Sequence, residues 1–304
     1  MKKLLLLCIA CIAGQQFSLA QGFYTRFGLG YAMPQAGQTM DGSATPLAGT
    51  ATNFTSGTTK YTSYNLKKMS FGTGLHGVAG LGYMFNRHVG MEASLDFQLS
   101  AKQYSFSFHN VSLGGVASDV DIVQKANGGI LFTPALVMQT DGQKANLYTR
   151  VGIVLPLNAK ITQDQIFTNL PGTGAIQSDD YTWEIKNSFS LGFSAAVGVR
   201  YAVNSRMKLW GEVSFLSLAV FAKEANLTEV SVNGQGGYLP QVPEGQRKVV
   251  YSNNFTSTSN DYFHQPTYSQ PFSNFTINVG VHYDLHKMER SRQRGRNDVK
   301  SRRR

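Results

Sequence analysis

Hydrophobic and polar residues alternate at period two over long stretches of this chain, most clearly at residues 189–203. There Phe193 and Val197 fall on one face, and Ser194 and Arg200 fall on the other. A period of two is typical of a β-strand with one apolar face. The stretch is longer than the roughly 5–6 residues of an ordinary strand. It also exceeds the roughly 9–11 residues that a tilted transmembrane strand needs.

Eight segments carry this alternation, and each predicts one long strand. In the fourth segment the two faces are difficult to assign. The segments are Phe23 to Ala32, Leu75 to Phe85, Val89 to Ser100, Ile130 to Gln139, Ala145 to Leu157, Phe189 to Val203, Met207 to Phe215 and Phe275 to Leu285.

The connections between these segments alternate strictly between short and long. The short ones, at 86–88, 140–144 and 204–206, are rich in Asn, Asp and Gly, which favour tight hairpin turns. The long ones cover residues 33–74, 101–129, 158–188 and 216–274. This pattern, with both termini on the short side, predicts an all-β fold: an eight-stranded antiparallel transmembrane barrel with periplasmic turns and long, polar, flexible extracellular loops.

Two features depart from a regular barrel. Pro134 lies inside the fourth segment, where a closed barrel has no free edge to host it. A bulge, or an error of a few residues in the strand limits, would accommodate it. In residues 104–108 the apolar side chains fall on even numbers, whereas those of Val89 to Leu99 fall on odd numbers. We therefore expect a slip of one residue near 101–103 and a continuation of the strand above the membrane.

The first twenty residues have the composition of an export signal. Lys2 and Lys3 precede an apolar run, and small residues up to Ala20 offer a cleavage site, so we predict a secretory signal peptide at 1–20. Both cysteines, Cys8 and Cys11, lie in this segment. The mature chain is therefore expected to lack disulfides and thiol chemistry. A lipoprotein acylated at Cys11 is an alternative, but the apolar run before it is short.

Positive charge is concentrated in the last 18 residues. Apolar residues make up 42% of the chain and charged residues only 15%, yet the net charge is +10. The segment 287–304 holds nine Lys or Arg and two acidic residues. We predict a disordered periplasmic tail, with weak contact to anionic headgroups or cell-wall carboxylates as an alternative. The export signal argues against nucleic-acid binding, and no nucleic-acid partner is predicted.

These features together resemble the small outer-membrane β-barrel superfamily of Gram-negative bacteria, the OmpA/OmpX/OmpW-like barrels. The resemblance covers about residues 21–286. In that family the last strand bears an assembly signal, and Asn278, Gly280, Tyr283 and Leu285 match its positions. The resemblance implies a location in the cell outer membrane and recognition by the barrel-assembly machinery during biogenesis. Family members commonly end at this strand, whereas this chain adds the basic tail.

The predicted inward faces carry charged side chains that would pair within the lumen. An eight-stranded barrel has room for side chains or one small ligand, and unpaired buried charges are costly. His76 and His282 are further inward candidates. The predicted lumen charge network is Arg26, Glu92, Asp96, Arg150, Arg200 and Glu212. The predicted aromatic girdle on the outward face of the periplasmic side is Phe23, Tyr83, Tyr201 and Tyr283.

Three functions fit this sequence. The first is a structural or surface-interaction barrel with a side-chain-plugged lumen, in contact with outer-membrane lipids and, through its outer loops, with an extracellular ligand. The second is a narrow OmpW-like conduit for small or apolar solutes. The third is a lipid-modifying enzyme using His109 or His264, but no catalytic motif joins them. We therefore predict no catalytic residues, no metal and no cofactor. The aromatic residues of the last loop, Tyr262, Phe263 and Tyr268, are expected to cap the barrel mouth.

Overall fold

A computed structural model describes residues 22–35, 38–46, 61–100, 102–113, 116–126, 128–142, 144–169, 177–254 and 263–285. The predicted signal peptide and basic tail lie outside these residues. Among the described residues, no helix is both long and apolar enough to cross a membrane.

The described chain is almost entirely β-structure. Two short 3₁₀ helices lie at Leu239–Gln241 and Glu244–Gln246. The strands are β1 (Gly22–Pro34), β2 (Gln38–Pro46), β3 (Tyr61–Lys68), β4 (Gly74–Met84), β5 (Val89–Gln98), β6 (Lys102–Leu113), β7 (Val116–Ala126), β8 (Ile130–Gln139), β9 (Ala145–Asn158), β10 (Ile161–Asn169), β11 (Ser178–Asn187), β12 (Gly192–Ala202), β13 (Met207–Ser217), β14 (Ala219–Val232), β15 (Lys248–Ser252), β16 (His264–Pro266), β17 (Ser269–Pro271) and β18 (Asn274–Asp284).

Eight of these strands close into an antiparallel barrel in the order β1–β18–β13–β12–β9–β8–β5–β4. They are the eight strands predicted from the alternation, each within three residues of its predicted limits. The first and last strands pair in register, with Gly28 opposite Gly280. The eight-stranded antiparallel barrel is therefore confirmed. We call the barrel end that carries the short connections, the start of β1 and the finish of β18 the turn end. The opposite end, which carries the long connections, is the sheet end.

Two segments of the long connections, 53–60 and 252–260, are predicted to be polar and flexible, and all of the first and most of the second lie outside the described residues. The long connections contain more strand than the sequence predicted. Their described residues form ten further strands in a second sheet, the outer sheet. Its order is β16–β15–β14–β11–β10–β7–β6–β2–β3, and β17 pairs with β14 off this path. Most of these strands follow directly from barrel strands, so the wall continues beyond the barrel as hydrogen-bonded strands.

The barrel is inverted relative to a soluble protein, as its alternation predicts. On β12, Val197 and Tyr201 are exposed, whereas Ala196 and Arg200 are buried. Because each strand presents alternate side chains to opposite sides, the same inversion holds around the barrel. An outward apolar face of this kind is typical of the transmembrane barrel that the sequence predicts.

The apolar core of the molecule lies at the sheet end, inside the outer sheet and the adjoining mouth of the barrel. It contains Phe71, Ile161, Ile185, Val220 and Phe272, all at most 1% exposed. Phe263 and Tyr268, two of the aromatic residues expected to cap the mouth, pack against this core. Tyr262 lies outside the described residues.

The predicted slip near residues 101–103 is wrong, although the strand does continue as β6. Even-numbered side chains face inward on both sides of the break, as with Gln98 and Tyr104. The apolar side chains move from odd-numbered to even-numbered positions because the environments inside and outside the wall differ on the two sides of the break. On the barrel side of the break the outward side chains are apolar and the interior is polar, whereas on the other side the interior is the apolar core.

Neither a bulge nor an error in the strand limits accounts for Pro134, because β8 has the predicted limits Ile130–Gln139 and no register shift at the proline. Phe132 pairs with Leu155 and Ala135 with Gly152, so the register between β8 and β9 is the same before and after the proline. The register shift in this pair falls instead between Ile130 and Leu131. Pro134 lies on the outward-facing side of β8, opposite Ala93 of β5.

Candidate functional site: the barrel lumen

Four of the six predicted lumen charges meet in one cluster, which we call the charged layer: Arg26, Glu92, Arg150 and Glu212. Each comes from an inward position of a different strand, β1, β5, β9 and β13. Arg26 Nε lies 2.8 Å from Glu92 Oε1, and Arg26 Nη1 lies 3.1 Å from Glu212 Oε2. Arg150 Nη1 lies 3.1 Å from Glu92 Oε1, and its Nη2 lies 2.6 Å from Glu212 Oε1. Each arginine thus bridges both glutamates across the lumen.

Aromatic hydroxyls complete the coordination of the two glutamates. Tyr24 donates to Glu92 over 2.9 Å, and Tyr148 donates to Glu212 over 2.8 Å. Trp210 lies under Arg26, with the guanidinium carbon 4.7 Å from the ring centroid. The sequence analysis missed these three residues. They occupy inward positions two residues from Arg26, Arg150 and Glu212, so the period-two alternation alone could have identified them.

Arg200 and Asp96 lie outside the charged layer. Arg200 is stacked between Tyr24 and Tyr148 and donates to Gln139 Oε1 over 2.8 Å. A cation desolvated against aromatic faces gains about 2 kcal/mol or more. Asp96 pairs with His76 instead, with 2.6 Å between Oδ1 and Nδ1. His282 is inward-facing near the turn end, where its Nε2 lies 2.9 Å from Asp284 Oδ1.

A second obstruction lies between the charged layer and the sheet end. We call it the apolar lid, formed by Phe71, Tyr104, Leu218 and Phe272. Phe71 packs edge-on against Tyr104, with ring centroids 5.3 Å apart, and lies 5.9 Å from Phe272. The chain segments that carry the lid are tied together, because Phe71 N–H donates to Pro271 O and Phe272 N–H donates to Leu218 O, both over 2.8 Å.

Side chains of the barrel wall hold the lid in place. Asn274 Nδ2 donates to Gly72 O over 2.6 Å, and His76 Nε2 lies 3.0 Å from the same carbonyl oxygen. The Tyr104 hydroxyl hydrogen-bonds both the N–H and the carbonyl of Ser70 at 2.8 Å. Because its hydrogen bonds are satisfied within the wall, the lid is a fixed part of the barrel interior.

A cavity of about 40 Å³ separates the two obstructions. Its lining includes Arg26 and Glu212 of the charged layer, the His76–Asp96 pair, and Asn274 and Thr276 of β18. A water needs about 10–15 Å³ of such space, so the cavity has room for about three waters. Among the described residues, no cluster of three or more His, Cys, Asp or Glu side chains could hold a metal ion.

The remaining predicted residues lie on β18 and at the turn end. Asn278 faces inward and donates to Ser214 Oγ over 3.2 Å, whereas Tyr283 and Leu285 face outward. Phe23, Tyr201 and Tyr283 are exposed on the outward face at the turn end. The Phe23 and Tyr83 rings lie 4.8 Å apart on neighbouring strands. His264 is exposed in β16, and the side chain of His109 lies outside the described residues.

Residues 4–235 match the family model described as outer membrane protein beta-barrel domain. The chain belongs to this family. The match spans about three quarters of the chain, and the closed barrel of the structure agrees with the description of the family as a β-barrel domain. The protein is therefore an integral protein of the cell outer membrane.

Two solved structures are similar to the chain. The outer membrane protein OprG from Pseudomonas aeruginosa is 11% identical, with a TM-score of 0.39 over 88% of this chain and 97% of that one. Ail, the attachment invasion locus protein of Yersinia pestis, solved with the heparin analogue sucrose octasulfate, is 10% identical. Its TM-score is 0.25 over 87% of this chain and 97% of that one. No curated protein matches the chain.

Proposed function

We propose that this protein is a structural or surface-interaction barrel whose lumen is plugged at two levels. The observation that carries the proposal is the charged layer, in which two arginines and two glutamates bridge the lumen. Its formal charges cancel, and its carboxylate oxygens accept hydrogen bonds from both tyrosines. Buried ions are tolerated when they are paired and hydrogen-bonded, so the layer is a stable obstruction at the middle of the barrel.

The apolar lid favours the same function over the conduit. A solute passing through the lumen would have to displace both Phe71 and Phe272, which are fully buried and tied by backbone hydrogen bonds. An apolar solute would then meet the charged layer, where it would separate ion pairs in a confined, poorly solvated space. The narrow conduit is therefore the less favoured function.

Single-channel recording in a planar lipid bilayer tests the plug. We expect no steady openings from the wild type. Arg150→Ala with Glu212→Ala removes one charge of each sign and leaves the Arg26–Glu92 pair, and Phe71→Ala with Phe272→Ala removes the lid. Either pair alone is expected to leave the pore closed, and the four substitutions together are expected to open it.

The control for these recordings is the exposed pair Lys186 and Glu224 of the outer sheet, replaced together by alanine. It removes the same charges without touching the lumen. Steady openings of the wild type that vanish when Arg150 or Glu92 is altered would contradict the plug and support the conduit.

The surface role in this proposal is assigned to the outer sheet. Its strands present polar side chains outward, such as Asp164 and Thr182 on neighbouring strands, where the Thr182 hydroxyl donates to Asp164 Oδ1 over 3.0 Å. Binding surfaces are commonly displayed on the segments that a rigid scaffold positions. An extracellular ligand at this sheet is part of the proposal, and an enzymatic role is not.

Biogenesis through the barrel-assembly machinery is a further part of the proposal. The outward orientation of Tyr283 and Leu285 supports it, because these two side chains remain accessible on the last strand of the closed barrel.

A further inference from the structure

His76 connects the barrel wall to the apolar lid. It is an inward residue of β4, 2% exposed, beside the cavity between the two obstructions. Its Nδ1 lies 2.6 Å from Asp96 Oδ1 on β5, and its Nε2 lies 3.0 Å from the carbonyl oxygen of Gly72, the residue after Phe71 of the lid. We call residues 69–73 the lid segment. The imidazole ring therefore bridges a carboxylate of the wall and the backbone of this segment.

Both partners of this ring are hydrogen-bond acceptors. A neutral imidazole has one N–H, so it can donate to one of the two oxygens and turns a lone pair towards the other, whereas an imidazolium donates to both. A protonated Asp96 would also complete the two contacts, but a free aspartic acid loses its proton near pH 3.9 and a free histidine only near pH 6.5. The second proton therefore belongs on His76.

We propose that His76 is a proton latch, which holds the lid segment when the ring carries two protons and releases it when the ring carries one. The single N–H of the neutral ring stays on Asp96, because a carboxylate is a stronger acceptor than a carbonyl. The Gly72 carbonyl then loses its bond from the ring and retains the one from Asn274 Nδ2. Release therefore loosens the segment without removing the lid. The latch concerns this segment alone and does not depend on whether the lumen conducts.

Charged and titratable groups on the neighbouring strands surround the latch. Asp96 is the carboxylate in contact with the ring, and it favours the charged form of the ring. Arg26 of β1, Arg150 of β9 and Glu212 of β13 line the same cavity, but they are paired within the charged layer and so act on His76 less than Asp96 does. The Tyr104 hydroxyl of β6 hydrogen-bonds the lid segment. The residues that β8, β12 and β18 add to the cavity lining are uncharged.

Hydrogen exchange of the lid segment, measured by mass spectrometry on the full-length protein in detergent micelles, tests the latch. The reporter is the Phe71 N–H, which donates to Pro271 O over 2.8 Å. After correction for intrinsic exchange, its protection in the wild type should be high at pH 6. It should fall about tenfold as the pH rises and the ring loses its second proton, because a hydrogen bond from a charged group is lost.

Three variants show whether this step belongs to the His76 ring. Asp96→Asn removes the carboxylate and should move the step to lower pH by about one unit or more. His76→Gln should show no step. His88→Gln, at an exposed turn, is the matched control and should keep the wild-type profile.

Nitrogen NMR of histidine-labelled protein reads the ring itself, with the His76 signals identified by their loss in His76→Gln. At pH 8, where a free histidine is neutral, we expect both ring nitrogens of His76 to carry protons. A neutral His76 ring at this pH would overturn the proposal. Lid protection that does not follow the titration of His76 in the wild type and in Asp96→Asn, or that falls equally in His76→Gln, would also overturn it.

Discussion

Glu212 is the residue on which the charged layer depends most. Its carboxylate accepts hydrogen bonds from Arg26 Nη1, from Nε and Nη2 of Arg150 and from the Tyr148 hydroxyl. The shortest of these, from Arg150 Nη2, is 2.6 Å long. Among the residues that the structure describes, Arg150 has one other carboxylate partner, Glu92. The net worth of a buried ion pair can be small, but removing one partner leaves a buried charge uncompensated.

The variant Glu212→Gln keeps the size of the side chain and removes its charge. We expect it to lower the free energy of unfolding by about 3–5 kcal/mol, because Arg150 and Arg26 then share a single carboxylate. Denaturant titration in detergent, followed by the heat-dependent gel shift, measures this loss. Glu244→Gln, at an exposed 3₁₀ helix, is the control and should be neutral.

Restoring the charge balance separates the electrostatic effect from lost packing. Glu212→Gln combined with Arg150→Met again leaves one cation and one anion, Arg26 and Glu92, and should regain part of the stability. Equal stability of the wild type and the single Glu212→Gln variant would show that the charged layer does not hold the barrel together.

The ion pairs of Glu224 lead us to expect that the stability of the outer sheet depends on pH. Lys248 and Lys186 hydrogen-bond its carboxylate over 2.6 and 3.0 Å and lower its pKa from 4.5 to about 2. A depressed pKa in the folded state means that the ion pairs stabilise the outer sheet above about pH 4.5 and are lost as the pH falls towards 2. The effect is modest, because half-exposed pairs contribute about 0–1 kcal/mol each.

Hydrogen exchange checks this pH dependence. Protection factors of the β14 and β15 amides, corrected for intrinsic exchange, should fall between pH 4.5 and 2 in the wild type. In Glu224→Gln they should be lower at neutral pH and change little over that range. An unchanged wild-type profile across this interval would show that the lysine pairs do not support β15.

At the scale of elements, closure of the barrel depends on the close approach of β1 and β18. A Cβ atom at Gly280 would press on the carbonyl oxygen of Phe27 and lie 2.6 Å from Gly28 Cα and 2.8 Å from Trp210 Cζ2. Gly28 of β1 and Gly280 of β18 therefore leave no room for a side chain where the two strands pair above the Trp210 ring. Gly211, on the neighbouring strand β13, has open space instead, with only Asn278 O at 3.9 Å.

Alanine substitutions at these two glycines form a matched pair. Gly280→Ala should reduce the yield of folded barrel strongly, because backbone rather than a flexible side chain stands in the way of the new methyl group. Gly211→Ala should leave the yield near that of the wild type. The folded fraction after refolding into detergent, measured by gel migration, distinguishes them. Equal yields would mean that the closing pair tolerates a wider separation than the register implies.

Period-two alternation predicts the barrel strands well, because every spanning strand meets the same two environments along its whole length. It fails where the environment changes. The residues around Tyr104 have the right periodicity, but nothing in the local sequence marks the level at which lipid gives way to water outside the wall. For the same reason the long connections, with less uniform polarity, do not separate into strands and loops by pattern alone.

The sequence predicts which charged side chains face the lumen, but it does not predict which of them form ion pairs with one another. Inward charges follow from alternation, but which of them meet depends on the register between strands, and register depends on contacts distant in sequence. Asp96 therefore pairs with His76 rather than joining the charged layer. Arg200 is held by the faces of Tyr24 and Tyr148, which a search restricted to charged residues overlooks.

At the scale of the whole molecule, the outer sheet extends the barrel wall, and the apolar lid and the charged layer obstruct the lumen at two levels with a cavity of about 40 Å³ between them. The outer strands are extensions of the same hairpins that cross the membrane, so the wall and the filling are built by one topology. The plugged lumen that we propose leaves no path for solutes.

Labelling of a buried lumen thiol in intact cells tests the closed lumen most directly. Ser94 is 5% exposed and lines the cavity between the two obstructions, and Ser94→Cys is nearly isosteric. Thr228→Cys, on the exposed face of the outer sheet, is the positive control, and the wild type is the blank. With a charged, membrane-impermeant thiol reagent, a plugged barrel predicts rapid labelling at Thr228→Cys and none at Ser94→Cys until the protein is unfolded. Labelling of Ser94→Cys in the folded protein at a rate close to that of Thr228→Cys would contradict a closed lumen.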